Sequence, residues 1–377
     1  MIERPARHGL LEPAMETDRA VYLERQPGGA ASSAPALAVI PGSWQLLAKL
    51  PVTAFAVVMA TGIVSIAAAG AGQGLIAGFL RWIGAVTLVA LLGLHAARVL
   101  LHRHVSAGEI GHPTTVFDPF SLVAALGVTA MALGPVLTNA ALVGLWICAG
   151  MIWLTIAAAT FGALVRHRGF GLIHFASGRW LLGVVSIESI AVLGVAAAMA
   201  THDSALAVIA LVAWAAGIAV YPAIALTIVL RIHTRGWHAV DVTPDHWILM
   251  GALAICTLAG ADLAATSTVF PSVQRSGIDA VVWTTWSCAG VLYVVLTAVS
   301  VRRWLVSSTA RRADIRWWAS VFPLGMYSAC TFELFRVSNV AAQQDIATVT
   351  FWPALGAWVL AALMTLRAVA RAVQAQA

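Results

Sequence analysis

The chain has 377 residues, of which 60% are hydrophobic and only 10% charged. A water-soluble domain carries about a quarter charged residues, so this chain lacks the polar surface to cover itself in water, and lipid is the solvent that accepts it. The net charge of +6 does not point to nucleic acid, because the basic residues stand between apolar stretches instead of gathering on one face.

Residues 1–44 mix Arg4, Arg7, Arg19 and Arg25 with Glu3, Glu12, Glu16, Asp18 and Glu24, then run into Gly28-Gly29 and Ser32-Ser33-Ala34-Pro35. They hold no apolar signal-peptide core, and their composition predicts a disordered tail. From Pro51 onward ten apolar stretches follow, each close to the roughly 20 residues that a membrane span requires. They cover 51–72, 75–98, 117–137, 139–165, 180–201, 205–230, 245–267, 278–301, 316–337 and 347–366. The expected organisation is a tail over 1–44, an all-α membrane domain over 45–371 and a short C-terminal tail over 372–377.

Nineteen of the 22 basic residues fall before the first span, after the even-numbered spans or at the C-terminus; only Arg81, Arg275 and Arg336 fall on the other side. The positive-inside rule makes the first side cytoplasmic, which puts both termini there. The odd-numbered spans begin near 51, 117, 180, 245 and 316, at steps of 66, 63, 65 and 71 residues. Each step is one helical hairpin plus a basic loop, so the chain reads as five stacked hairpins. The odd spans also hold the helix breakers: Gly62, then Gly127 with Gly134-Pro135, Gly183 and Gly194, Gly251 and Gly260, and Pro323 with Gly325. Such breaks persist in a bilayer only where protein or a water-filled cavity covers them. They suit either kinked helices around an axis or close packing through small residues.

Cys148, Cys256, Cys288 and Cys330 are widely spaced inside apolar stretches and read as small apolar filler, not as a disulfide or zinc framework. No phosphate-binding Gly-rich loop with Lys-Ser/Thr, no His-Glu-x-x-His and no Gly-x-Ser-x-Gly is present. The sequence therefore predicts no cofactor, no metal and no enzymatic activity. A membrane enzyme or sensor, the rival class, needs convergent polar groups at one depth.

Three segments resemble the tellurite-resistance/dicarboxylate transporter family, whose relatives include fungal malate transporters and plant slow-type anion channels. They are Thr61-Gly62-Ile63-Val64-Ser65, Trp247 with Met250-Gly251 and Ala254-Ile255, and Trp317-Trp318 followed by Val321-Phe322-Pro323-Leu324-Gly325-Met326-Tyr327. The resemblance covers about 45–370, the whole membrane part. It implies ten helices as five hairpins around a pseudo-fivefold central pore, with the odd helices lining it, and a homotrimer; the arginine-for-lysine bias and the abundant Ala and Val suit a bacterial inner membrane. It further implies that Phe322 plugs the pore, beside the kink at Pro323. The expected substrate is a small anion, with C4-dicarboxylates such as malate leading and chloride, nitrate or tellurite efflux as alternatives.

Within that frame Thr61, Gly62, Ser65, Ser186, Glu188, Gly251 and Thr257 are candidate pore-lining residues. Glu188 is the deepest charge, about 13 Å along its helix from Arg179. It is either a protonatable group in the anion path or a hydrogen-bonding partner of a neighbouring helix. Asp262 falls near the outer interface, and Glu333 and Arg336 are three residues apart and able to pair. Arg81 and Arg275 either draw anions to the outer mouth or anchor an interface.

Overall fold

The computed structural model describes residues 47–102, 104, 112–166, 175–235, 243–270, 273, 275–306 and 315–374. The expected tail over 1–44 lies outside the described residues. Ten α-helices run through the described part: α1 (Phe55–Gly70), α2 (Gly74–Leu101), α3 (Phe120–Leu133), α4 (Asn139–Arg166), α5 (Leu182–Thr201), α6 (Ser204–Arg235), α7 (Trp247–Thr266), α8 (Arg275–Val306), α9 (Trp318–Ser338) and α10 (Ala341–Gln374). Eight of them are long and apolar enough to cross a membrane, some counted with the 3₁₀ turn that leads them. The other two are α3, which the turn at Gly134–Val136 ends after 14 residues, and α9, which carries Glu333 and Arg336. The helix α10 continues to Gln374, through residues expected to form a tail.

Three odd helices are joined to the even helix after them by two or three residues that turn on one in the left-handed region: Gly72 (φ 74°), His202 (φ 56°) and Asn339 (φ 60°). Such a residue closes the last helical turn and reverses the chain within two or three positions. Four odd helices also start alike, on a 3₁₀ turn at Val52–Ala54, Gly178–Leu181, Pro244–His246 or Ile315–Trp317.

The helices form two layers. Helix α1 packs against α3 and α9, α3 against α5, α5 against α7, and α7 against α9, so the five odd helices close a ring. Each even helix rests on its hairpin partner and on the next odd helix, with α10 reaching back to α1. Burial follows this division. In α5 and α7 83% of the most apolar window is buried, against 11% in α4 and 17% in α8. The even helices turn Phe79, Val86, Leu154, Phe161, Val291 and Leu360 outward. An apolar surface of this kind needs lipid around it.

Small residues let the ring helices approach closely. A Cβ added to Gly62 would stand 2.8 Å from Val128, at Gly127 it would stand 2.8 Å from Ser189, at Gly251 2.9 Å from Pro323 and at Gly325 3.0 Å from Ile63. Four of the five ring junctions therefore rest on a glycine. The fifth, α5 against α7, holds Glu188 and Cys256 instead.

Indole nitrogens tie the layers together. Trp153 of α4 donates to Ser186 of α5 (3.0 Å), Trp286 of α8 to Thr331 of α9 (3.0 Å), and Trp358 of α10 to Thr61 of α1 (3.0 Å). Trp214 of α6 donates to the Cys256 carbonyl of α7 (2.9 Å). Four even helices thus pin the odd helix that follows. A second set closes hairpins from within, Trp247 to Ser300 and Trp318 to Thr365, both at 3.0 Å. A buried indole N–H usually finds an acceptor; here Thr61, Ser186 and Thr331 of odd helices, Ser300 and Thr365 of even helices and the Cys256 carbonyl supply it.

Candidate functional site

The N-terminal ends of the odd helices surround a cavity of about 290 Å³. Met59 of α1, Leu182 of α5, Ile248 of α7 and Ala319 with Phe322 of α9 make its apolar walls, and Arg179, Asp245 and Arg316 carry its charge. From the leading turn into α9 the lining recurs at 316, 319 and 322, and from the leading turn into α1 at 53, 56 and 59, the i+3 rhythm of one helix face. No lining residue lies deeper than Met59 and Phe322, so the cavity ends at the level of these two side chains, about 9 Å from Arg316 along α9.

Phe322 is 3% exposed. The residue after it, Pro323, packs against the bare backbone of Gly251. Proline takes one hydrogen bond out of α9 at this point, and the missing side chain at 251 lets the two helices meet there. The sequence thus fixes where the phenyl ring sits through a break on one helix and a gap on its neighbour.

The electrostatics of the cavity favour anions. Each helix N-terminus carries the equivalent of about half a positive charge, and none of the five odd helices has a side-chain cap on its first turn. Arg179 forms an ion pair with Asp118, which is buried behind the wall. Arg316 and Asp245 add one charge of each sign. The side chains therefore come close to balance, and the helix ends supply the positive excess. Sequence reading counted Arg179 and Arg316 only as cytoplasmic loop charges. The signal for their second role was their position, immediately before odd helices.

The hydroxyls expected along the axis are used elsewhere. Thr61 donates to Val57 O (2.7 Å) and accepts from Trp358; Ser186 donates to Gly183 O (2.8 Å) and accepts from Trp153. Ser65 donates to Ala77 O of α2 (2.7 Å), and Thr257 bonds Leu253 O (2.9 Å) and Thr285 of α8 (2.8 Å). All four face the outer layer, because that layer holds their polar partners. Gly62 and Gly251 sit at ring junctions, against Val128 and Pro323.

Glu188 is 0% exposed. Its Oε1 accepts from the Cys256 thiol (3.4 Å), its Oε2 has no hydrogen-bond partner among the described residues, and Gly217 of α6 leaves the space that it fills. Of the sequence's two readings of this residue, the neighbour-helix contact is the one this geometry presents.

At the opposite end of the ring, Arg336 holds both oxygens of Glu333 (3.1 and 2.8 Å), and Asp262 of α7 lies within electrostatic reach of this pair on α9. Arg275 binds Asp279 (3.1 Å) and Val337 O (3.2 Å), one residue from Arg336. Arg81 stays on α2, half-buried, with no hydrogen bond or ion pair to this group among the described residues. Of the five charges expected at the outer mouth, the structure thus pairs Glu333 with Arg336, places Asp262 near them and gives Arg275 to Asp279 and the Val337 carbonyl. No cluster of metal-binding side chains occurs among the described residues.

A family model described as voltage-dependent anion channel matches residues 49–366, from before α1 into the later turns of α10. Two similar proteins, both bearing the name uncharacterized membrane protein, come from Mycobacterium tuberculosis strains CDC 1551 and H37Rv. Each is 30% identical over 143 residues, which is 37% of this chain and 72% of theirs.

Proposed function

The chain belongs to the voltage-dependent anion channel family, and from that premise we propose that it passes small anions across a bilayer, along the axis of the odd-helix ring, with Phe322 as the plug. The observation that carries this reading is the cavity at the convergent helix N-termini, positive in balance and ending at Phe322. A phenyl ring across a narrow apolar passage blocks it by filling the space and excluding water. The cavity offers an anion helix ends and arginines, without a cage tight enough to hold it, which suits conduction.

Arg179 and Arg316 stand on the turns that lead into α5 and α9, an arrangement that suits an anion with two charged ends. C4-dicarboxylates such as malate are therefore the leading substrate, ahead of chloride, nitrate or tellurite. The arginine bias of one side supports a cytoplasmic position for the cavity and both termini. The proposed setting is a bacterial plasma membrane, with ten crossings, a pseudo-fivefold axis and a homotrimeric assembly as the family resemblance implies. The fold is read as a transporter or channel, not as an enzyme.

The test is flux through the purified protein in liposomes, with malate, chloride and nitrate compared for wild type and Phe322→Ala. The expected result is faster passage through the alanine variant, with malate preferred. Equal passage in both proteins, while both remain folded, overturns the plug; no passage of any anion in either overturns the transport reading.

A further inference from the structure

A second cavity, of about 400 Å³, stands beside the first at the same end of the bundle, between the first hairpin and the second. That volume falls in the range of small-molecule pockets, about 300–1,000 Å³. Helices α1 and α3 begin at this end, while α2 and α4 finish here. The outermost lining residues are therefore Arg98, Thr115 and Asp118, and the innermost are Phe55, Leu122, Met151 and Ile152. The cavity is thus polar at its end and apolar towards the middle of the bilayer. It opens sideways between α2 and α4, since Val99 (52% exposed) and Met151 (61% exposed) of its lining belong to the lipid-facing surface, beside Leu100 and Leu154.

Arg98 is 2% exposed and donates from Nε to Ala48 O (3.2 Å), which holds the guanidinium in the wall. One turn deeper, His95 donates from Nδ1 to Leu91 O (3.0 Å), and its ring lies 4.8 Å from that of Phe55. Asp118, the acid of this lining, forms its ion pair with Arg179, whose own place is in the anion cavity. The balance of the lining is therefore positive, and the planar fork of an arginine suits phosphate oxygens. Arg98 stands where the apolar stretch 75–98 ends, the level at which a bilayer turns polar.

We propose that this cavity takes an anionic phospholipid from the adjoining leaflet, with its phosphate against Arg98 and one acyl chain along Phe55, Leu122, Met151 and Ile152. A membrane lipid is the occupant for three reasons. The cavity opens on lipid, it changes from polar to apolar in the order of a lipid's own parts, and its charge is opposite to that of a phosphate. Basic pockets between membrane helices bind headgroups of this kind. A lipid in this seat lies one ion pair away from the anion cavity, through Asp118 and Arg179. The site stands on its own geometry and does not require that anions pass.

The experiment titrates the detergent-purified protein with phosphatidylglycerol and with phosphatidylcholine of identical chains, and counts bound lipid by native mass spectrometry. One arginine near a membrane surface gives about a fivefold preference for the anionic lipid, which wild type should show. Arg98→Gln should bring the two lipids level. Met151→Trp, which fills the mouth from a surface position, should weaken phosphatidylglycerol binding several-fold. Leu154→Trp, on the same helix but outside the lining, should leave it unchanged. If Arg98→Gln does not fold, the Met151 and Leu154 variants decide. Equal affinity of wild type for both lipids overturns the proposal, as does a full preference in folded Arg98→Gln, or binding to Met151→Trp as tight as to Leu154→Trp. Displacement of the bound lipid by inorganic phosphate alone would make this a site for free phosphate and overturns the lipid assignment.

Discussion

Gly217 and Glu188 provide a test of whether the buried acid is held by shape. A methyl group at 217 would overlap the Glu188 carboxylate, with Cδ at 2.8 Å and Cγ at 3.1 Å. Neither partner has room to move, since Glu188 is 0% exposed and lies against α7 through Cys256. Overpacking of this kind costs about 1–3 kcal/mol, and replacing a mid-helix glycine by alanine returns about 0.5–1 kcal/mol. Gly217→Ala should therefore lose about 1–2 kcal/mol of stability, measured by thermal unfolding in detergent with the tryptophan fluorescence as signal. In a Glu188→Ala background the obstacle is gone, and the same substitution should be neutral or stabilising. In a Glu188→Gln background, which keeps the volume and removes the charge, the loss should persist. An equal loss of stability in all three backgrounds would refute the steric account of Gly217.

Two further outcomes follow from the same geometry. Trp358→Phe removes the indole that binds Thr61 and should cost about 0.6 kcal/mol, with ~1.7 kcal/mol as the upper end for such bonds in membranes; Trp82→Phe, at a residue 58% exposed to lipid, should cost nothing in the same unfolding assay. Arg316→Gln should lower anion conductance several-fold at low ionic strength, and the difference should shrink as salt screens the cavity mouth. A conductance loss independent of salt would show that Arg316 acts through structure instead of charge.

Element positions were readable because hydrophobic length and basic punctuation act locally along the chain. The fourth span was expected over 139–165 and is helical over Asn139–Arg166. The errors have one direction on the even helices: α6, α8 and α10 run past the apolar stretch, to Arg235, Val306 and Gln374. Arginine is a good helix former, so the helix continues after lipid ends, and hydropathy marks the bilayer boundary, not the helix boundary. The third span fell short for the opposite reason, since Gly134-Pro135 leaves only a 3₁₀ turn after Leu133.

The site was less readable, because it depends on which way a side chain points. Thr61, Ser65, Ser186 and Thr257 sit on the inner ring as expected, yet their hydroxyls bind the outer layer. For Thr61 and Ser186 the clue was the tryptophans of the even spans, whose indoles require acceptors. Glu333 and Arg336 were legible as a pair because three residues bring them onto one face. Asp262 comes near them across 71 positions of sequence, which no local periodicity reveals. Phe322 entered through family resemblance; its place at the cavity's end became visible only once five distant helix ends were assembled around it.

The ring closes between its last member and its first: Gly325 of α9 meets Ile63 of α1, and Trp358 of α10 reaches Thr61 across 297 positions. During synthesis the N-terminal helix therefore waits in the bilayer with one flank and one threonine unmatched until the final hairpin is inserted. Contacts this distant in sequence form late, and partly built states expose surfaces that invite the wrong neighbour. A ribosome that stops before residue 318 leaves an open crescent instead of a shorter pore. Quality control in the membrane thus has a single late event to monitor, the docking of the fifth hairpin onto the first.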